Sequence, residues 1–216
     1  MTSVQDRARV PRWLIIVGLA LGLIITLMGG YAIGRANSPA AAPAAKAATP
    51  GDSSAEAGFA RDMSTHHAQA VEMGMIAAKN ATNPDVRTLG EDIALTQQGQ
   101  VGMMQAWLRE WGLLPTGEQP RMTWMPDGAA AVKDGLMPGM ASQAEMDALR
   151  AAKGKDVDTL FLKMIMKHHL GGIHMVEGVQ ALSTDPEVTW LAGTMKAGQQ
   201  REITIIQQLL KDVGAA

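Results

Sequence analysis

The sequence of 216 residues contains no cysteine and few aromatic side chains. The absence of thiols excludes disulfide bonds and metal sites built on thiolates. Two Phe, one Tyr and five Trp give little material for strands, whereas helix-forming residues are abundant. The formal net charge of −2 provides no general attraction for nucleic acid, and no nucleic-acid motif, phosphate-binding glycine loop or nucleophile triad is present. The composition therefore favours an all-α protein.

The amino terminus predicts export. Residues 1–12 form a basic segment with three arginines, and the uncharged stretch 13–33 that follows would span about 30 Å as a helix, the thickness of a hydrocarbon core. Trp13 and Tyr31 lie near its two ends, where aromatic rings favour the membrane interface. The positive-inside rule places 1–12 in the cytoplasm and the rest of the chain outside it. We expect a single-pass signal anchor in the cell membrane; the alternative is a cleaved signal peptide and secretion.

Residues 34–57 are rich in Ala, Pro and Ser and lack apolar periodicity. Such a composition favours a semi-extended linker rather than part of a core. The remaining residues, 58–216, are the predicted folded domain.

That domain contains an internal duplication. The pair His66-His67 recurs 102 positions later as His168-His169, and the match continues without a gap. Because chance explains so long an ungapped repeat poorly, we expect both halves to form the same unit. The other matched pairs are Phe59/Phe161, Met73/Met175, Thr82/Thr184, Pro84/Pro186, Val86/Val188, Leu89/Leu191, Gln97/Gln199, Gln98/Gln200 and Leu108/Leu210.

Each half has the pattern of a helical hairpin, at 58–112 and 156–212. Apolar residues recur every three or four positions, and Asn83-Pro84 and Asp185-Pro186 interrupt them with a capping residue followed by proline. Two such hairpins would bury their apolar faces against each other, which predicts a four-helix bundle. The predicted inward positions are Phe59, Met63, His66, Ala70, Met73, Ala77, Val86, Leu89, Ile93, Gln97, Val101, Met104 and Leu108, and Phe161, Ile165, His168, Gly172, Met175, Val179, Leu182, Val188, Leu191, Met195, Gln199, Ile203, Ile206 and Leu210.

The connector between the hairpins, 113–155, begins with several prolines and is predicted to be irregular. One short helix is expected to begin at Ser142, because Ser142-Gln143-Ala144-Glu145 has the pattern of a capping box.

All five histidines lie in two short windows. Neighbouring helical residues point about 100° apart, so His66 and His168 should face the seam while His67 and His169 flank it. A single seam histidine is usually only a packed core residue. Two pairs at equivalent places favour a metal site, because imidazoles clustered in an apolar interior are costly without partners. We predict these four as ligands, with His174 as an extra ligand of the second half.

Methionine supplies a second ligand type. The chain has 16 methionines, and most of those on the seams are expected to fill the core. The pair in the turn Met137-Pro138-Gly139-Met140 is less well explained by packing. Thioether with imidazole favours copper, particularly Cu(I), and disfavours zinc or magnesium. The predicted sulfur ligands are Met63, Met73, Met137, Met140, Met164 and Met175.

Gln97 and Gln199 are polar residues at equivalent positions on apolar seams. Two interpretations remain open: a partly exposed position near a helix end, or a group that fixes a histidine tautomer.

These residues give the chain a specific resemblance. The windows Phe59-x3-Met63-x2-His66-His67-x2-Ala70-x2-Met73 and Phe161-x6-His168-His169-x5-Met175, joined by Met137-Pro-Gly-Met140, resemble the bacterial DUF305 family of domains of unknown function over about residues 56–212. The resemblance implies a ferritin-like four-helix fold and copper binding or tolerance, as in the CopM-type exported copper-binding proteins of that family. Ile165 departs from the family pattern, which commonly has Met three positions before the second pair.

The sequence therefore predicts a non-enzymatic, membrane-anchored protein that binds Cu(I) or Cu(II) and buffers it or transfers it outside the cytoplasm. Its expected partners are the metal ion, the membrane and either a second copy of the chain or a copper-receiving protein, but no nucleic acid. Because a ligating histidine must be deprotonated, affinity is expected to weaken as the pH falls through roughly 6.5.

Two other functions remain open. One is a ferritin-like oxidoreductase with an iron or copper centre, although the Glu-x-x-His motifs of di-iron bundles are missing. The other is a helical interaction module whose histidines are merely buried or bind a partner.

Overall fold

The computed structural model describes residues 49–215, which form an all-α helical bundle. The basic segment 1–12, the predicted membrane span 13–33 and most of the predicted linker lie outside the described residues. Within 49–215, no helix combines the length and apolar character needed to cross a membrane.

Four long helices carry the fold, and two short ones lie in the connector. The long helices are α1 (Ala55–Asn80), α2 (Pro84–Glu110), α5 (Lys155–Leu182) and α6 (Pro186–Asp212). The short helices are α3 (Gly128–Ala131) and α4 (Gln143–Ala151).

Side-chain caps fix where most of these helices begin. Asn83 and Asp185 each accept hydrogen bonds from two backbone N–H groups in the first turns of α2 and α6, each of which has proline at its start. The predicted capping box at Ser142 is confirmed, since both of its reciprocal hydrogen bonds are present. α1 begins at Ala55, before the predicted boundary at 58, because Ser54 accepts a hydrogen bond from the N–H of Ala57.

The two hairpins, α1–α2 and α5–α6, meet mainly through α1 and α5, while α2 and α6 touch each other little. α1 and α5 run in opposite directions. The turn that ends α1 donates the Thr82 N–H to Asp158 at the start of α5, over 2.8 Å. This antiparallel arrangement gives the duplicated halves an approximate two-fold relation about the α1–α5 contact.

The core divides into two apolar clusters. The first, here called the methionine-rich cluster, has eight methionines among its buried residues: Ala57, Phe59, Ala60, Met63, Met104, Trp107, Leu108, Met122, Met125, Met137, Met140, Met175, Val176, Val179, Val188, Leu191, Ala192 and Met195. The second, here called the aliphatic cluster, has two: Ala70, Met73, Ala77, Ala81, Val86, Leu89, Ile93, Ala141, Met146, Leu149, Val157, Phe161, Leu162, Ile165, Ile206 and Leu209.

Most predicted inward positions are buried, but Val101 and Ile203 are only partly buried, and further differences occur near the helix ends. Leu182, the last residue of α5, is 42% exposed because it lies beyond both clusters. On α6 it is Leu209 that is buried, while Leu210 is only partly so; three residues after Ile206, Leu209 stays on the inward face.

Candidate metal centre

A band of polar side chains separates the two apolar clusters. Along every long helix, this band lies between residues of the methionine-rich cluster and residues of the aliphatic cluster. We call it the polar layer; its members, which match in pairs at the 102-residue offset, are His66, His67, Gln97, Gln100, His168, His169, Gln199 and Glu202.

The four histidines are the most enclosed members of the polar layer. Each is at most 1% exposed, and the rings of His66 and His168 stack with centroids 3.7 Å apart. His67 and His169, predicted to flank the seam, are covered by α2 and α6, which supply the polar partners Gln100 and Glu202.

Hydrogen bonds fix the same tautomer on all four rings. The Nε2–H of His66 donates to the Pro138 carbonyl, and that of His168 donates to the His66 carbonyl, each over 3.0 Å. The Nε2–H of His67 donates to the Gln100 amide oxygen over 2.8 Å, and that of His169 donates to the Glu202 carboxylate over 2.6 Å. Because all four partners are acceptors, each ring carries its proton on Nε2 and a lone pair on Nδ1.

The Nδ1 atoms are the unusual feature of the polar layer. Those of His66, His67 and His169 are buried and have no hydrogen-bond partner among residues 49–215. An unpaired buried acceptor costs about 1–3 kcal/mol, so three of them in one layer call for an explanation. A ring that donates its N–H to a carbonyl or carboxylate and offers its other nitrogen is the usual arrangement of a metal-ligating histidine.

Burial favours the neutral form of the rings of His66, His67 and His168. Desolvation is the main cause that lowers the pKa of His66 to about 4 and that of His67 to about 3, and it also lowers the pKa of His168 well below its ordinary value. In the folded, metal-free protein, protons therefore compete for the Nδ1 lone pairs of these three rings only below the ordinary titration range of histidine. The weakening of metal affinity predicted near pH 6.5 rests on the ordinary pKa of histidine, and for these three rings burial moves the proton competition to lower pH.

The turn Met137-Pro138-Gly139-Met140, here called the strap, lies directly against the histidines. Besides the bond from His66 to Pro138, its backbone touches α5 so closely that a Cβ on Gly171 would lie 1.9 Å from the Pro138 oxygen. A Cβ on Gly139, whose φ is +80°, would lie 2.5 Å from the Lys167 carbonyl oxygen. Both glycines are therefore required for the strap to reach the polar layer.

Gln69 holds the strap from the other side. Its side-chain amide donates to the Ala141 carbonyl over 2.9 Å and accepts from the Ala141 N–H over 2.7 Å. The residue of the second half that matches Gln69 is Gly171. Gln69 binds the end of the strap through hydrogen bonds, whereas Gly171, without a side chain, lets the strap backbone approach α5. The strap therefore breaks the two-fold relation at the histidines.

The predicted sulfur ligands are divided between the two sides of the polar layer. The structure places Met63, Met175 and both strap methionines in the methionine-rich cluster. Met73 is buried in the aliphatic cluster, and Met164 packs against that cluster while partly exposed. The remaining candidate ligand, His174, is exposed on α5 and does not join the buried histidines.

Gln97 and Gln199 are 2% and 4% exposed, so the interpretation of a partly exposed position is wrong. Their Oε1 atoms are buried without a hydrogen-bond partner in the described part of the chain. The side chains that hold histidine tautomers are instead Gln100 and Glu202, which sequence reasoning missed. Their signal was available: each follows a recognised glutamine by three residues, and the two match at the repeat offset.

The donors that meet at the polar layer are histidine nitrogen and, on one side, methionine sulfur. Among residues 49–215, no group of three or more His, Asp or Glu side chains is already gathered as a metal site. A site in the polar layer would therefore combine histidine Nδ1 atoms with thioethers from the methionines packed on one side of it. This donor set suits a soft, nitrogen- and sulfur-binding ion.

A surface cavity of about 410 Å³ lies elsewhere, beside the start of α1. It contains none of the predicted ligands. The Arg61 guanidinium in its wall donates to Asp52 and to the Leu114 carbonyl. Asp62 accepts from Trp124, so Arg61 and Asp62 both hold the connector against α1.

Comparison with protein families places the chain. The model of the domain of unknown function DUF305 matches residues 56–210. The chain belongs to the DUF305 family. A comparison with curated proteins finds no match.

Solved structures agree with this assignment. A DUF305 protein from Streptomyces coelicolor is 42% identical, with a TM-score of 0.70 over 76% of this chain and 97% of that one. A DUF305 fragment from Deinococcus radiodurans is 30% identical, with a TM-score of 0.61 over 73% and 96% of the two chains. CopM in its Cu(I)-bound form is 21% identical, with a TM-score of 0.56 over 76% and 97%, a likeness of fold.

Proposed function

We propose that this DUF305 protein binds copper outside the cytoplasm and buffers it or hands it on, without catalysing a reaction. The observation that carries the proposal is the set of unpartnered Nδ1 lone pairs on His66, His67 and His169, with every Nε2–H of the polar layer already committed. These rings are oriented as ligands, and a soft cation is the partner they lack.

The neighbouring sulfurs select the metal. Met63 lies one helical turn before His66, and the strap brings Met137 and Met140 to the same cluster. Imidazole with thioether favours copper, and a second thioether shifts the preference towards Cu(I) over zinc. The solved forms of CopM with Cu(I) and with Cu(II) support copper as the ion to test first.

The cellular setting is part of the proposal. The basic segment and apolar stretch at 1–33 support a single-pass anchor with this ferritin-like bundle outside the cytoplasm. The alternative is release after signal cleavage, and the Streptomyces relative is described as a candidate secreted protein. The mass of the exported chain distinguishes the two. A copper-receiving protein or a second copy of the chain is the proposed partner.

An anaerobic competition with a Cu(I)-binding chromophore tests copper binding by the full chain. Replacing His66, His67, His168 and His169 with glutamine should abolish tight binding, whereas His174→Gln, at the exposed histidine, should bind as the wild type does. Unchanged binding by the fourfold variant would contradict the proposal.

A milder pair of variants keeps the test valid if the fourfold variant folds poorly. Met63→Leu preserves side-chain volume and should weaken Cu(I) binding about ten-fold, the lower end of what a lost metal-site interaction costs. Met73→Leu, in the aliphatic cluster, should not. Equal weakening by both would overturn the assignment of copper to the methionine-rich side.

The proposal that the chain is not an enzyme has its own check. A copper oxidase would consume oxygen when copper-loaded protein turns over with a reductant. We expect no consumption above that of free copper under the same conditions; sustained uptake that His66→Gln abolishes would establish the oxidoreductase alternative instead.

A further inference from the structure

The two histidine pairs differ in the residue that accepts the hydrogen bond from the second histidine of each pair. His67 and His169 occupy equivalent positions, both with fully buried rings, and each donates its Nε2–H to the equivalent residue of the following helix. That residue is the neutral Gln100 in the first half and the acidic Glu202 in the second. The carboxylate is also the closer partner, at 2.6 Å against 2.8 Å for the amide.

This exchange of amide for carboxylate changes what the opposite ring nitrogen offers. A carboxylate hydrogen-bonded to one imidazole nitrogen increases the basicity of the other nitrogen. It also leaves a negative charge one imidazole away from any cation on Nδ1. The attraction of that charge is proportional to the charge of the ion, so it favours a doubly charged ion twice as strongly as a singly charged one. The amide of Gln100 supplies no such charge.

We propose that Glu202 makes the second histidine pair the preferred position for Cu(II), while the first pair, backed by Gln100, favours Cu(I). Glu202 is a positioning residue that acts through His169 and is not itself a ligand. The inference rests on the proposed copper binding and adds to it a division of the two oxidation states between the duplicated halves.

The chain provides its own matched variants. Glu202→Gln gives the second half the amide that the first half already accommodates, so the hydrogen bond to His169 can persist while the charge is lost. Gln100→Glu makes the reverse change, and the double variant exchanges the two halves. Each is measured as the full chain, with Cu(II) and Cu(I) affinities determined separately by competition.

Glu202→Gln should lower Cu(II) affinity by about 10- to 100-fold, the usual cost of removing such a partner, while Cu(I) affinity changes much less. The reduction potential of bound copper should therefore rise, by about 59 mV for each ten-fold change in the affinity ratio. A merely structural role for Glu202 would lower both affinities equally and leave the potential unchanged.

The double variant Gln100→Glu, Glu202→Gln shows which histidine pair binds Cu(II) first. Less than one equivalent of paramagnetic Cu(II) should broaden the NMR signals of His169 before those of His67 in the wild type, and in the opposite order in the Gln100→Glu, Glu202→Gln protein. The same order in both proteins, or an unchanged potential in Glu202→Gln, would overturn the inference while leaving copper binding intact. A wild-type chain that binds neither Cu(I) nor Cu(II) would overturn the proposed function and this inference together.

Discussion

The buried histidines couple the stability of the metal-free protein to pH. Burial lowers the folded-state pKa of His66 to about 4 and that of His67 to about 3, whereas an unfolded histidine titrates near 6.5. Between these values the unfolded chain binds more protons than the folded one. Stability is therefore fully present above about pH 6.5 and is lost as the pH falls towards the folded-state pKa values.

We predict that His67→Gln makes this loss less steep. The variant removes one group that is protonated only on unfolding, so near pH 5 the dependence of the unfolding free energy on pH should decrease by about 1.4 kcal/mol per pH unit. Urea unfolding of metal-free protein at several pH values measures it. His174→Gln, which changes an exposed histidine, is the control. If the unfolding free energy of His67→Gln depended on pH as steeply as that of the wild type, His67 would not be buried in its neutral form.

The strap is the element that distinguishes this bundle from a plain pair of hairpins. It crosses α5 with backbone against backbone at Gly139 and Gly171, and Gln69 on α1 fastens it through two hydrogen bonds to Ala141. Its carbonyl at Pro138 fixes the tautomer of His66. Displacing the strap would therefore disturb both the core and the proposed copper ligands.

We predict that Gly171→Ala destabilises the protein by displacing the strap, although alanine is the better helix former. A Cβ there would lie 1.9 Å from the Pro138 oxygen and 2.7 Å from the Gly139 nitrogen, so the strap must move, at a cost of about 1–3 kcal/mol. Gly99→Ala is the matched control on α2, because nothing lies within 4 Å of the added Cβ and the better helix former should stabilise by about 0.5–1 kcal/mol.

Chemical unfolding of the two variants decides the point. Gly171→Ala should unfold at a lower denaturant concentration than the wild type. In this variant the backbone N–H of Ala141 should also exchange with solvent faster. If Gly171→Ala gained stability as Gly99→Ala is expected to, the close contact between the strap and α5 would be contradicted.

The features of the helices that depend on local sequence pattern could be predicted. The helix starts at Asn83, Ser142 and Asp185 and the inward faces follow from capping chemistry and 3.6-residue periodicity, so they could be predicted. The contact of the strap with Gly171 could not, because it joins segments over 30 positions apart. The contacts that cover His67 and His169 were missed for the same reason, because they come from residues 33 positions away on the following helices.

The whole molecule is a duplicated hairpin whose halves keep the histidine pairs and differ at most other positions. Ile165 stands where the first half has Met63, whereas Met73 is matched by Met175. Because α1 and α5 are antiparallel, Met63 and Met175 fall on one side of the polar layer and Ile165 and Met73 on the other. The duplication was visible in the sequence, but only the antiparallel packing shows that Met63, Met175 and the connector methionines gather sulfur on one side.

The central claim is that copper binds to the Nδ1 atoms of the buried histidines, with their Nε2–H bonds intact. Nitrogen-15 NMR of the histidine rings, before and after anaerobic addition of Cu(I) to the full chain, tests it most directly, because Cu(I) is diamagnetic and the two ring nitrogens are resolved. We expect Nδ1 signals of the polar-layer histidines to shift while their Nε2–H protons persist and His174 is unchanged. Shifts confined to His174, or loss of the Nε2–H protons, would contradict the account.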